Sequence, residues 1–169
     1  MPELEFRPEQ LLSALEGHGV RSVLIGGFAA VIHGSPYITT DVDIVPETTT
    51  ENLERLSAAL HVMHARVWTA SEPEGVPFDH DAASLGSVGV WNLVTDFGRL
   101  DITLRPSGTD GYADVARDAV RLTILGTSVD VASLGDVVRS KEAADRDKDR
   151  LVLPVLRRIL EEQETRNAP

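Results

Sequence analysis

Asp41 and Asp43 stand two residues apart in the run ITTDVDIV, with aliphatic residues on either side. On a strand, side chains at i and i+2 share a face, so this spacing puts two carboxylates side by side. Like charges that close repel unless a cation lies between them. The hard ions Mg2+ and Mn2+ suit such a pair, because they take oxygen ligands and complete their shell with substrate phosphates. Upstream, Gly26-Gly27 separates the apolar runs 23–25 and 28–32. A glycine pair at a strand-to-helix turn leaves backbone N–H groups free to approach a phosphate, though such a turn needs glycine with or without a ligand. Each signal is weak alone. In this order, within one segment, they point to metal-dependent chemistry on a nucleotide.

A third acid belongs with these two. Leu100, Ile102 and Leu104 alternate with Arg99, Asp101 and Thr103, so Asp101 faces away from the apolar residues of its strand. Aspartate is disfavoured in strands, and a function or an edge position explains it. Three converging carboxylates can hold two metal ions for an in-line displacement at phosphorus.

The elements that must position these residues follow from periodicity and punctuation. Leu11, Leu12 and Leu15 form one helical stripe over 8–16, which Gly17 and Gly19 end. Strands are expected over 20–25 and 41–45, with a short helix at 28–32 and a loop at Ser35-Pro36-Tyr37. Thr48, three residues before Glu51, makes a capping box for a helix over 51–61. Residues 71–81 read as a mobile rim, and strands 88–95 and 99–104 flank a turn at Asp96-Phe97-Gly98. A helix at 112–119, strands at 120–125 and 128–131, and a segment capped by Ser133 through 138 come next. A last helix runs over 141–162, with Pro154 kinking it or lying near its start. The expected class is α+β: one domain over 1–169 with a mixed β-sheet, helices packed mainly on one side, and a C-terminal helical segment.

Composition narrows the function. At 169 residues and 42 % hydrophobic the chain can bury a core. It has no cysteine, hence no disulfide framework or thiolate site. No apolar run is long enough to span a bilayer, and the opening MPELEFRPEQ does not resemble a secretory leader. The expected compartment is therefore the cytoplasm, with no membrane partner. A net charge of −11 argues against general electrostatic binding of nucleic acid. Any RNA contact would use the local run Arg139, Lys141, Arg146, Lys148, Arg150, Arg157 and Arg158, which reads equally as a solvated helix face. Trp68 and Trp91 fit core or rim positions, with base stacking as the alternative, and His61, His64 and His80 lack the arrangement of a zinc site.

The ordered set of strand, Gly26-Gly27, short helix, His33-Gly34, Thr39-Thr40, Asp41 and Asp43, then Gly-Arg-Leu-Asp101, resembles the nucleotidyltransferase superfamily. The His-Gly and threonine-bearing loop resemble its small bacterial branch, which includes AbiEii-type nucleotidyltransferase toxins and small antibiotic nucleotidyltransferases. The resemblance implies transfer of a nucleoside monophosphate from an NTP to an acceptor hydroxyl. Asp41, Asp43 and Asp101 would be catalytic and would hold Mg2+ or Mn2+. Gly26, Gly27, Thr39, Thr40, Lys141, Arg146 and Lys148 would bind the nucleotide. His33 would orient the loop or simply end its helix, and Asp149 would be functional or pair with Arg146. The chain resembles the toxin branch over most of its length, which implies first an RNA acceptor such as a tRNA 3′ end and an antitoxin protein partner; the antibiotic branch, as the alternative, implies a small cationic acceptor, which the acidic composition suits better. Two departures stand out. Gly27 replaces a frequent serine, and Tyr37 replaces an arginine, which leaves a non-catalytic nucleotide- or partner-binding module as a third reading.

Overall fold

A computed structural model describes residues 4–169; the first three residues of the opening stretch lie outside it. Its centre is a seven-stranded mixed sheet in the order β3-β4-β5-β2-β1-β7-β6. The strands are β1 Ser22–Ile25, β2 Asp41–Pro46, β3 Arg66–Val67, β4 Val90–Thr95, β5 Gly98–Thr103, β6 Val120–Ile124 and β7 Thr127–Val131. β2 runs parallel to β5 and antiparallel to β1, and β1 runs parallel to β7. The class is α+β, as the order of elements implies.

Burial of alternate residues sets the register. Val42, Ile44, Leu100 and Ile102 are all at most 1 % exposed and share one cluster with the leucines of two helices. Those helices are α1 (Pro8–Gly17), which buries Leu11, Leu12 and Leu15, and α3 (Thr50–Val62), which buries Leu53, Leu56 and Leu60. A one-residue slip of β2 or β5 would exchange buried aliphatics for aspartates, so the register is strongly specified. Asn52 of α3 is buried and reinforces it. Its amide donates to the carbonyls of Arg21 and Glu47 and accepts from the Arg21 N–H, tying the start of β1 to the end of β2.

Several local expectations are corrected. The cap of α3 is Thr49, whose hydroxyl accepts from the Asn52 N–H, and Thr48 plays no such part. The short helix α2 spans Gly26–Ile32, so the glycines open it where residue 28 was expected to. The 71–81 rim is bounded by two elements without sequence signals: β3, which adds a bridge from Val67 to Val76, and α4 (Ala82–Ser87). The helix α5 covers Tyr112–Arg117.

The largest correction concerns the C-terminal helices. Ser133 caps α6 as expected, its hydroxyl accepting from the Asp136 N–H. However, α6 continues over Leu134–Ala144, and the chain breaks at Asp145, which is left-handed at φ 50°. α7 then runs Asp147–Asn167 with Pro154 inside it. This break, absent from the hydrophobic pattern, turns the 146–149 segment back toward Lys141. Among the described residues no helix is long and apolar enough to cross a membrane.

Candidate active site

Parallel pairing of β2 with β5 sets Asp43 opposite Asp101 and Asp41 opposite Arg99, all on the face turned away from the buried aliphatics. One carboxylate oxygen from each of Asp41, Asp43 and Asp101 lies within 4.8 Å of the others. Because β5 lies between β4 and β2, Asp101 is not on a sheet edge, and that explanation for it is removed. Three half-buried acids this close resist ionising together. Burial, then repulsion from Asp41 and Asp101, pushes Asp43 up to about 7 against a weaker pull from Lys148 and Lys141. Burial likewise raises Asp101 to about 6, opposed by the Arg99 guanidinium and assisted by Asp41. Hard oxygen donors crowded in a site that disfavours their charge fit a divalent cation.

The glycines make room for this cluster. Gly26 has φ +69°, and a Cβ there would come 2.2 Å from Asp43 Oδ2, so no larger residue fits. A Cβ on Gly27 would approach Thr39 Oγ1 at 3.2 Å. Thr39, expected to bind nucleotide, donates its hydroxyl to Asp41 Oδ1 at 2.9 Å and so holds that acid in place. Thr40 is exposed on the wall of the same cleft, beside Gly26 and Gly27.

That cleft, about 570 Å³, also receives Lys141, Arg146 and Lys148. Their roles differ. Lys141 is 9 % exposed and its ammonium lies 3.4 Å from Asp149 Oδ1. Asp149 is fully buried and takes two further bonds from the Arg146 side chain, at 2.7 and 3.2 Å, and one from the Arg146 N–H. Burial would raise its pKa, but the bonds and charges of Arg146, joined by the charge of Lys141, outweigh that and lower it. Lys148 is exposed, and among the cations acting on Asp43 its charge ranks ahead of that of Lys141. Tyr37 and the 93 % exposed Ile38 form part of the rim, where the expected arginine is missing.

Other singled-out residues lie elsewhere. His33 donates to the Ala132 carbonyl at 2.7 Å, which ties the end of α2 to the β7–α6 junction, and it does not line the cleft. Trp91 packs on Phe78 and donates to the Leu85 carbonyl, whereas Trp68 stacks on Arg99. His64 pairs with Asp96, and the His80 ring shares a hydrogen bond with the Ser57 hydroxyl. Asn92 and Thr103 were missed. Asn92 pairs in register with Asp101, and Val90 with Thr103, extending the acid-bearing face with neutral side chains. An asparagine inside a strand is itself disfavoured and was an available signal.

The fold is nucleotidyltransferase-like, by its likeness to solved structures. No family model matches the sequence, and no curated protein sequence matches it significantly. Solved structures do. The lincosamide antibiotic adenylyltransferase LnuA in its lincomycin-bound form aligns with TM-score 0.60 at 14 % identity, covering 93 % of this chain and 99 % of that one. TM1012 of Thermotoga maritima, assigned as a nucleotidyltransferase, aligns with TM-score 0.52 at 16 % identity over 95 % and 98 % of the two chains. The antibiotic-resistance factor ANT(2'')-Ia aligns with TM-score 0.53 at 16 % identity over 94 % and 91 %.

Proposed function

We propose that the chain transfers a nucleoside monophosphate from an NTP to the hydroxyl of a small acceptor molecule. The observation that carries this is the convergence of Asp41, Asp43 and Asp101 beside a glycine that admits no Cβ. Asp41 and Asp43, with Asp101, would hold Mg2+ or Mn2+, which when bound neutralises charge on the entering and leaving oxygens.

The chain's own residues supply the rest. Thr39 keeps one oxygen of Asp41 engaged and so restrains that carboxylate beside the cluster. Lys148 and Arg146, on the cleft wall, give the triphosphate charge-assisted partners that the Tyr37 position does not. Attack of the acceptor oxygen on the α-phosphorus forms one O–P bond as the bond to the departing pyrophosphate breaks. The hydroxyl proton passes to Asp101, which lies between Asp43 on β2 and the neutral Asn92 on β4. Holding both reactants in line supplies much of the acceleration.

The neutral wall beyond Asp101 favours a small acceptor, as do fold neighbours that include two antibiotic-related proteins. A second reading sets the cations that share the cleft, Lys141, Arg146 and Lys148, partly against an RNA backbone as well as the triphosphate. On that reading the acceptor is an RNA 3′ end, in a toxin–antitoxin role with an antitoxin protein partner. Incubation with Mg2+ and each α-labelled NTP, against a panel of hydroxyl-bearing antibiotics and against total RNA, tests both. Label on an antibiotic, lost in Asp43→Asn, supports the proposal, and label confined to RNA supports the second reading. NTP binding without pyrophosphate release would return the chain to a non-catalytic binding module.

A further inference from the structure

One chain of contacts leads away from the acids and ends on an aromatic ring. Arg99 precedes Asp101 by two residues on β5, so both side chains share the acid-bearing face. Its Nη2 donates to Asp101 Oδ1 at 3.0 Å, with only 27 % and 15 % of the two side chains exposed. A bond between charged partners in this setting is stronger than a neutral one. The guanidinium is also covered: its Cζ lies 4.0 Å from the centroid of the Trp68 ring, within cation–π range. Trp68 lies just beyond β3 and its backbone N–H donates to the Asn92 carbonyl at 2.9 Å, which ties its main chain to β4. The arrangement has a cost, since Arg99 Nε is buried without a partner.

We propose that Trp68 and Arg99 act as a positioning pair for Asp101, holding one carboxylate oxygen so that the other faces Asp41 and Asp43. A terminal carboxylate torsion is broad. Left free, Asp101 would turn from two like charges. Arg99 prevents this by taking Oδ1, as Thr39 takes Oδ1 of Asp41 on the neighbouring strand. Trp68 in turn limits where the guanidinium can go. Neither residue touches the reacting atoms in this role, and the inference rests on the three-acid metal site proposed above.

The test combines Mn2+ binding, followed by electron paramagnetic resonance, with steady-state kinetics. Arg99→Met should weaken Mn2+ binding and lower kcat by roughly 10- to 100-fold, the range for residues that orient a metal ligand. The KM for NTP should stay within about twofold, because nothing that grips the triphosphate is removed. Arg99→Lys should recover a large part of the loss. In an Asp101→Asn background, Arg99→Met should change Mn2+ affinity no further, since the group it positions is gone. Trp68→Leu should act in the same direction more weakly, and Trp68→Phe, which keeps a stacking face, less again. These last two variants carry the test should Arg99→Met not fold. In a Trp91→Phe background, Mg2+ titration should shift the emission of Trp68, and Arg99→Met should abolish that shift. An equal effect of Arg99→Met with and without Asp101, or no effect on metal affinity or kcat, overturns the role. Failure of the wild type to bind Mn2+ overturns the metal site itself and this role with it.

Discussion

Asp43 and Asp149 are both acids inside the protein, and their surroundings treat them in opposite ways. Asp149 is met by the Arg146 side chain and N–H and by the Lys141 ammonium, and its pKa is lowered. Asp43 is met by two other carboxylates and by distant cations, and its pKa rises to about 7. A buried charge with its partners in place supports the fold, whereas a buried charge left uncompensated waits for something that is not part of the chain. The same cleft wall thus contains a finished ion-pair cluster and an unfinished one. The first braces the α6–α7 junction; the second is where the chemistry is proposed.

The sharpest way to break this contrast is on activity. Asp43→Asn should lower transfer by about 10²- to 10³-fold, as for loss of a central electrostatic group, while leaving the metal-free melting temperature equal or higher. A marked fall in melting temperature would give Asp43 the structural part assigned to Asp149.

Asp149→Ala should do the reverse. Removing one partner of a buried pair costs about 3–5 kcal/mol, or roughly 6–20 °C in melting temperature for a chain of this size. Calorimetry checks this, and unchanged stability would refute the bracing role.

The pH dependence separates the two acids by sign. Asp43 and Asp101 bind protons more tightly in the folded state, so their contribution is present below the ordinary carboxylate range and is lost as pH rises through about 6 and 7. In chelator, the melting temperature should therefore fall by a few degrees between about pH 5 and pH 8, and Asp43→Asn should flatten most of that fall. Asp149, lowered, contributes stability that is present above the ordinary carboxylate range and is lost only as pH drops below it. A wild-type melting temperature that rises over the same interval would contradict the crowded-acid description.

The smallest effect distinguishes the two lysines. Lys148→Ala should weaken NTP binding several-fold, in the range of about 1 kcal/mol for an exposed charge, with stability unchanged. Lys141→Ala should cost stability before it costs affinity, because its ammonium is engaged by Asp149. Sequence resemblance gave the two lysines one and the same expected role, and their surroundings separate them. Titration calorimetry with a non-hydrolysable NTP reads both.

The sequence by itself determined the face-sharing acids, because i and i+2 on a strand need no tertiary information. Alternation in 99–104 similarly placed Asp101 opposite its buried neighbours, and the Gly26-Gly27 pair marked a tight turn between strand and helix. Local order was enough to name the α+β class. What only the tertiary structure decided was which strand lay beside which. The parallel β2–β5 pairing that sets Asp43 against Asp101 joins segments far apart in the chain, and no local pattern encodes it. It also decided the break at Asp145, since a left-handed residue between two good helical stripes is held there by the Lys141–Asp149–Arg146 cluster and not by periodicity. For the same reason Arg99 looked like one more polar residue on an alternating strand. Its meaning came from Trp68, which reaches it only once β3 has joined the sheet.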